Sequence, residues 1–209
     1  QLMSDSILQN DMDMDTVKEF VGDIGNEADR LNRTTAKLLS LTKIDSREEW
    51  ESEIIYMEPT ILRVTRMLRP MAKEANINIE LDLQQDAPIL LLEDDLYQIV
   101  FNLMENGIKY NTPGGTLSVK LLKQEETASL IVSDSGMGIP DDAIGHIFER
   151  FYRVDKARSR ATGGSGLGLA IVRAIIYRNR GDITVESALG KGTPFTVSFP
   201  IFDTEVDKP

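Results

Sequence analysis

Val17, Ile24, Leu31 and Leu38 recur every seven residues, with Val21, Ala28, Thr35 and Thr42 four places after each. That spacing predicts a helix with one narrow apolar seam, made to lie along other helices. Asp15-Thr16 reads as its cap, with Glu19 three residues beyond Thr16 as in a capping box. Residues 1–9 read as the tail of an earlier helix, and Asn10 to Asp13 as the turn between the two. Nine acids against five bases leave residues 1–46 at -4, so this piece is solvated outside its seam. The expectation is a helical hairpin, truncated at its start.

The pattern changes after a charged linker at 47–53. Short apolar runs predict strands near Ile54–Met57 and at Ile77–Leu83, with an extended piece at Ile89–Leu91. Helical periodicity predicts helices from Pro59-Thr60 to Ala75, from Asp94 to Tyr110, and from about Gly166 to Arg178. Asn111 to Gly115 is a turn. Further strands are expected at Thr116–Leu122, Ala128–Ser133, Asp182–Ser187 and Pro194–Phe199. Several strands follow one another as hairpins, so the class is α+β, a mixed sheet with helices on one face. This domain is expected over 54–202, with a tail at 203–209.

Composition narrows the function. The 209 residues hold 34 acids and 23 bases, a net charge of -11, which argues against a general nucleic-acid binder. With no cysteine there is no disulfide framework and no thiolate chemistry, in keeping with a reducing compartment. No apolar run approaches the ~20 residues of a membrane span. There is no signal peptide, and a chain beginning with Gln1 reads as a fragment or a processed chain.

Three segments carry candidate chemistry. On the Asp94–Tyr110 helix, Leu96, Ile99, Val100, Leu103 and Gly107 share one arc and are expected on the sheet. Asn102, Asn106 and Lys109 share the adjacent arc, with Glu105 at its border. Asparagine is a poor helix former, so two of them one turn apart need a reason. An amide oxygen can complete the shell of Mg²⁺ beside phosphate oxygens, and lysine can face the same phosphates. Taken alone, the stripe also reads as a solvated face.

Asp134-Ser135-Gly136-Met137-Gly138-Ile139-Pro140 follows an apolar strand. Two glycines allow close approach of a ligand, and Pro140 starts a helix. The Asp134 carboxylate offers acceptors only, which suits the amine of adenine and repels the carbonyl of guanine. By itself the segment reads equally as a strand-to-helix turn. Between Arg150 and Arg160 lie five bases and one acid, a patch that suggests an anion. It runs into Gly163-Gly164-Ser165-Gly166-Leu167-Gly168, at the start of a helix, where backbone N–H groups and the helix end suit phosphate. Spacing excludes both a dinucleotide fingerprint and a phosphate-loop motif. A flexible glycine loop, or a lid, is the other reading.

The order of NLMENGIKYNTPGG, DSGMGIP, IFERFYRVD, GGSGLGLAIV and GKGTPFTVSFP within about 100 residues resembles the catalytic ATP-binding domain of sensor histidine kinases, over Ile54 to Ile201. DRLNRTTAKLLSLTKIDS ahead of it resembles the second helix of that family's dimerisation and phospho-acceptor hairpin. The resemblance implies a two-layer α/β sandwich of the Bergerat type. It implies Asn106 as the Mg²⁺ ligand, Asn102 one turn earlier on the same face, and Lys109 and Tyr110 lining the pocket. Asp134 would accept the adenine amine, with Gly136 and Gly138 admitting the base. Tyr152 and Arg153 would meet the nucleotide, and Gly164, Gly166, Leu167 and Gly168 would cradle the phosphates.

The implied function is Mg-ATP binding and donation of the γ-phosphoryl group to a histidine, for relay to an aspartate of a response-regulator receiver domain. The implied partners are that receiver domain and a second copy through the hairpin, with no nucleic acid and no membrane contact. The implied location is the cytoplasm: members of that family are commonly membrane receptors with this part facing the cytoplasm, which implies a membrane-anchored parent. ATPase relatives carry glutamate where Asn102 stands, so weak hydrolysis is expected here. Departures exist. No acceptor-histidine motif occurs, and His146, the only histidine, reads as a solvated or half-buried helix position. The expectation is that Gln1 falls just downstream of the acceptor, and that this piece alone does not autophosphorylate. Pro194, Gly107 and Asn179-Arg180-Gly181 depart from the family pattern in ways that touch packing. A module of the same fold that binds nucleotide without transferring phosphate is the alternative.

Overall fold

The computed structural model describes residues 13–25, 28, 35, 52–154 and 165–202, and divides into two compact units, 1–43 and 44–209. In the first unit, residues 14–25 form helix α1. Its cap is Asp13, two residues earlier than the sequence suggested. The Asp13 carboxylate accepts from the N–H groups of Asp15 and Thr16, each at 3.0 Å, and from the Thr16 hydroxyl at 2.7 Å. Thr16 therefore sits inside the first turn, and Asp13 takes two of the donors that the helix leaves unpaired. Those bonds hold the Asp13 carboxyl below its ordinary pKa. Val21 and Ile24 of the expected seam are exposed within this unit. The rest of the predicted hairpin lies outside the described residues.

The second unit runs β1 (Glu53–Ile55), α2 (Met57–Glu74), β2 (Asn78–Asp82), β3 (Ile89–Leu91), α3 (Glu93–Lys109), β4 (Thr116–Lys123), β5 (Thr127–Asp134), α4 (Asp141–Ile144), α5 (Gly168–Arg178), β6 (Asp182–Val185) and β7 (Thr193–Pro200). Five strands form one sheet in the order β2-β4-β5-β7-β6, and β1 pairs with β3 as a separate ribbon. Only β2 and β4 run parallel in the larger sheet, so it is mixed.

Alternation fixes which face is covered. Leu117, Val119 and Leu121 of β4, Ala128, Leu130 and Val132 of β5, and Phe195, Val197 and Phe199 of β7 are buried, while the residues between them are mostly half-exposed. Against that face pack the apolar stripes of the helices, with Leu96, Ile99, Val100 and Leu103 of α3 at 0–1% exposure. The α+β expectation holds, element by element.

Two boundaries moved for physical reasons. Helix α2 starts at Met57, before Pro59, because Asp86 caps it from 28 and 29 residues away: its carboxylate accepts from Met57 N–H at 3.2 Å and Glu58 N–H at 2.8 Å. Helix α5 starts at Gly168, two residues after the glycine expected to open it. Gly166 has φ +70°, a left-handed conformation outside the helix. The ends of α3 and α5 are tied together, since Arg178 in the last turn of α5 bonds Asp95 in the first turn of α3.

Candidate functional site

Helix α3 brings the predicted polar stripe to the end of the sheet. Asn102 is buried, at 5% exposure, and its amide nitrogen donates to Gln98 O at 2.7 Å. That bond holds the amide plane and leaves Oδ1 facing Gly168 at the start of α5. A Cβ at Gly168 would lie 2.8 Å from that oxygen. Asn106 and Lys109 are half-buried one and two turns on. Lys109 is not bare: its ammonium meets Glu105 at 2.8 Å, with both side chains largely covered. Sequence reasoning left Glu105 at the border of the stripe and missed this pairing, although i, i+4 spacing is the signal for it.

Asp134 ends β5, opposite Leu117 on one side and Thr193 on the other. Its Oδ1 accepts from Gly136 N–H at 2.8 Å. Burial raises the Asp134 carboxyl above its ordinary pKa, against the pull of backbone N–H groups from Gly136, Asp134 and Thr193. Gly136 explains its own residue type. A Cβ there would meet Tyr110 O at 2.4 Å, so the loop after β5 rests on the end of α3. Met137 N–H donates to the same Tyr110 carbonyl at 3.3 Å. Gly138 has φ +71° and faces the 188–192 turn, where a Cβ would stand 2.0 Å from Ala188 O. The end of α3 at Tyr110 and the loop after Asp134 are thus in contact.

Tyr152 and Arg153 directly follow in the chain a residue bonded to Gly166. Phe151 N–H donates to Gly166 O at 2.9 Å, which places the Tyr152-Arg153 pair beside the turn into α5. The Tyr152 ring is 5.5 Å from that of His146, an exposed side chain in a turn that bonds Glu149 at 2.7 Å. His146 is solvated, as expected, though not helical. Arg153 Nε and one Nη are buried with no hydrogen-bond partner among the described residues. Buried guanidinium N–H groups left unpaired cost free energy that an anion would remove. Leu167 is fully buried ahead of Gly168. Gly164 lies outside the described residues.

Gly107 and Pro194, two departures noted in the sequence, are explained locally. A Cβ at Gly107 would meet Leu117 Cδ1 at 2.5 Å, so glycine lets α3 settle on β4. Pro194 is the second residue of β7, beyond the end of β6, where a missing N–H breaks no bond to that strand.

Residues 92–202 match the family of histidine kinase-, DNA gyrase B-, and HSP90-like ATPases. This chain belongs to that family. The matched span contains α3, the Asp134 loop, Arg153 and the start of α5, so every part of the candidate site falls within it. Sensor histidine kinase RppB of Synechocystis sp. is 40% identical over 85% of the chain, which spans 39% of that relative's length. The histidine kinase ShkA, solved full-length in complex with AMPPNP, superposes over 88% of this ATPase-family chain and 38% of its own, at TM-score 0.74 and 26% identity. Histidine kinase ThkA, solved in complex with the response regulator TrrA, covers 96% of the chain and 57% of its own at TM-score 0.73 and 22% identity, a likeness of fold. The sequence resemblance to sensor histidine kinases is borne out. No helix among the described residues is long and apolar enough to cross a membrane.

Proposed function

We propose that the site binds Mg-ATP and that the chain is the catalytic part of a sensor histidine kinase, which donates the γ-phosphoryl group to a histidine for relay to a response-regulator aspartate. The observation that carries it is Arg153: a guanidinium with buried N–H groups that have no partner among the described residues, close in the chain to the residue whose backbone bonds Gly166 ahead of α5. An acceptor-only carboxylate at one side and unpaired cationic donors at the other suit a ligand with an amine on its base and phosphates on its tail.

The division of labour follows from the donors. Asp134 takes the adenine amine, and Gly136 and Gly138 admit the ring. Tyr110 and Tyr152 cover the nucleotide, and Gly164, Gly166, Leu167 and Gly168 offer backbone N–H groups to phosphate. Asn106 presents an amide oxygen with no partner among the described residues, a donor suited to Mg²⁺. Bound there, Mg²⁺ would neutralise charge on the phosphates. Lys109 and Arg153 add positive charge. Asn102 cannot act as a base, so attack by water is not promoted and hydrolysis stays slow.

In this reading 1–46 is part of the dimerisation and phospho-acceptor hairpin, 47–53 a linker, 54–202 the ATP-binding domain and 203–209 a tail. The intact protein acts in the cytoplasm as a homodimer that meets a receiver domain. ThkA in complex with a response regulator supports that partner class, and the relative RppB, named a sensor histidine kinase, supports the reaction.

The test is titration of ATP and GTP, with and without Mg²⁺, on the wild type, Asn106→Ala, Asp134→Ala and Arg153→Met. Magnesium-dependent binding that prefers ATP and falls in all three variants is the expected result. A histidine-bearing hairpin added in trans should then gain acid-labile phosphate. Absence of nucleotide binding by the wild type refutes the reading, and binding without transfer to any hairpin favours the regulatory module.

A further inference from the structure

One closed hydrogen-bond knot beside the site has no part in the scheme above. Asn111 follows Tyr110 at the end of α3 and is 6% exposed. Its amide nitrogen donates to Thr116 O at 3.0 Å. Its Oδ1 accepts from Thr112 N–H at 2.9 Å and from the Ser135 hydroxyl at 3.2 Å. Ser135 Oγ in turn accepts from Thr116 N–H at 2.8 Å, and Ser135 N–H donates to Thr116 O at 3.0 Å. Three segments distant in sequence meet in these bonds: the end of α3, the start of β4 and the loop after β5. Room for them comes from Gly115, where a Cβ would lie 2.4 Å from Asn111 Oδ1 and 2.6 Å from Ser135 Oγ.

We propose that Asn111 and Ser135 are positioning residues for base recognition, holding Asp134 in line with the helix that carries Asn102 and Asn106. The proposal rests on the nucleotide reading above. Its physical ground is where the sheet stops. The β4–β5 ladder has its last full pair at Leu117–Asp134, and beyond it single backbone bonds hold the chain, Ser135 N–H to Thr116 O at 3.0 Å and Gly192 N–H to Gly136 O at 3.1 Å. Ser135 is the next residue, and the knot continues the restraint by side chains. Hydrogen bonds weaken steeply as they bend, so a carboxylate reads an amine well only when it is held in direction. Satisfied side-chain networks of this kind give that rigidity.

The test compares Mg-ATP with Mg-ITP on the full chain, for the wild type, Asn111→Ala, Ser135→Ala and Ser135→Thr, with the melting temperature of each. Hypoxanthine replaces the amine by a carbonyl, so the ATP:ITP affinity ratio reports the Asp134 contact. Both alanine variants should compress that ratio by about three- to tenfold, the worth of one hydrogen bond moved out of line. Ser135→Thr keeps the hydroxyl and should keep the ratio. A merely structural role would lower the melting temperature and weaken both nucleotides equally. An unchanged ratio in folded alanine variants overturns the proposal. If Asn111→Ala does not fold, Ser135→Ala decides, because Ser135 is exposed and its loss opens no core cavity. A wild type that binds ATP and ITP equally refutes base reading by Asp134 and this proposal with it, whereas a wild type that binds neither refutes the nucleotide reading itself.

Discussion

Gly168 opens helix α5 directly against Asn102 of α3: a methyl group at residue 168 would stand 2.8 Å from Asn102 Oδ1. The amide cannot swing aside freely, because its nitrogen is bonded to Gln98 O at 2.7 Å. Two helices that present different parts of the site are therefore registered through one glycine and one buried amide. The same contact makes Asn102 a packing residue as well as a member of the polar stripe, which its sequence spacing alone does not reveal.

Gly168→Ala should accordingly cost about 1–3 kcal/mol, the usual penalty for an extra methyl in a packed region. Alanine's better helix propensity returns little at the first helical position. Chemical denaturation should read the loss as a lower midpoint with an unchanged slope. On the proposed reading nucleotide affinity should also fall, since the start of α5 would be displaced from the proposed phosphate position. Equal stability and equal affinity in the variant would remove this contact from the account.

Asp134 gives a pH-dependent prediction whose sign follows from its burial. The folded protein holds this carboxyl's proton more tightly than the unfolded chain does. The linked stability is fully present below the ordinary carboxylate pKa and is lost as pH rises through the raised folded value. At neutral pH the ionised group is a net burden on the nucleotide-free fold. Asp134→Asn keeps an acceptor for Gly136 N–H without the charge, so it should melt higher than the wild type at pH 7. The gap should close as pH falls below the ordinary carboxylate range. Thermal melts across that range check it, and a variant that melts lower at pH 7 contradicts it. The same substitution should weaken ATP binding, since the amide can turn a donor toward the adenine amine.

Arg180 offers a gain in stability with no bearing on the site. It has φ +57°, and it ends α5 in a turn closed by Arg180 N–H to Tyr177 O at 3.2 Å and Gly181 N–H to Ile176 O at 2.9 Å. That is the left-handed position where helices favour glycine. The strain of an L side chain there, about 1–2 kcal/mol, outweighs the added freedom that glycine gives the unfolded chain. Arg180→Gly should stabilise by about 0.5–1 kcal/mol, a rise of roughly 1–4 °C in melting temperature. A calorimetric scan decides it, with ATP affinity expected to stay the same. Gly181 must be kept, because a Cβ there would meet the Phe199 ring at 2.7 Å.

The sequence by itself determined the elements and the fold class. Period-2 and period-3.6 patterns are local, and they report which side of a strand or helix is buried wherever the burial comes from. Leu96, Ile99, Val100 and Leu103 are core residues for that reason, and the motif order from Asn102 to Gly168 was enough to point to the ATPase family. Tertiary structure decided what depends on groups distant in the chain. Asp86 sets the first residue of α2, Tyr110 O dictates a glycine at 136, and Asn111 knots α3 to the loop after Asp134. None of these leaves a periodic trace, because a capping carboxylate, a backbone carbonyl in close approach or a buried amide acts through space on a single partner. The raised pKa of Asp134 belongs to the same class: the residue type was legible, but only the packing around it removes the water that would keep it an ordinary acid.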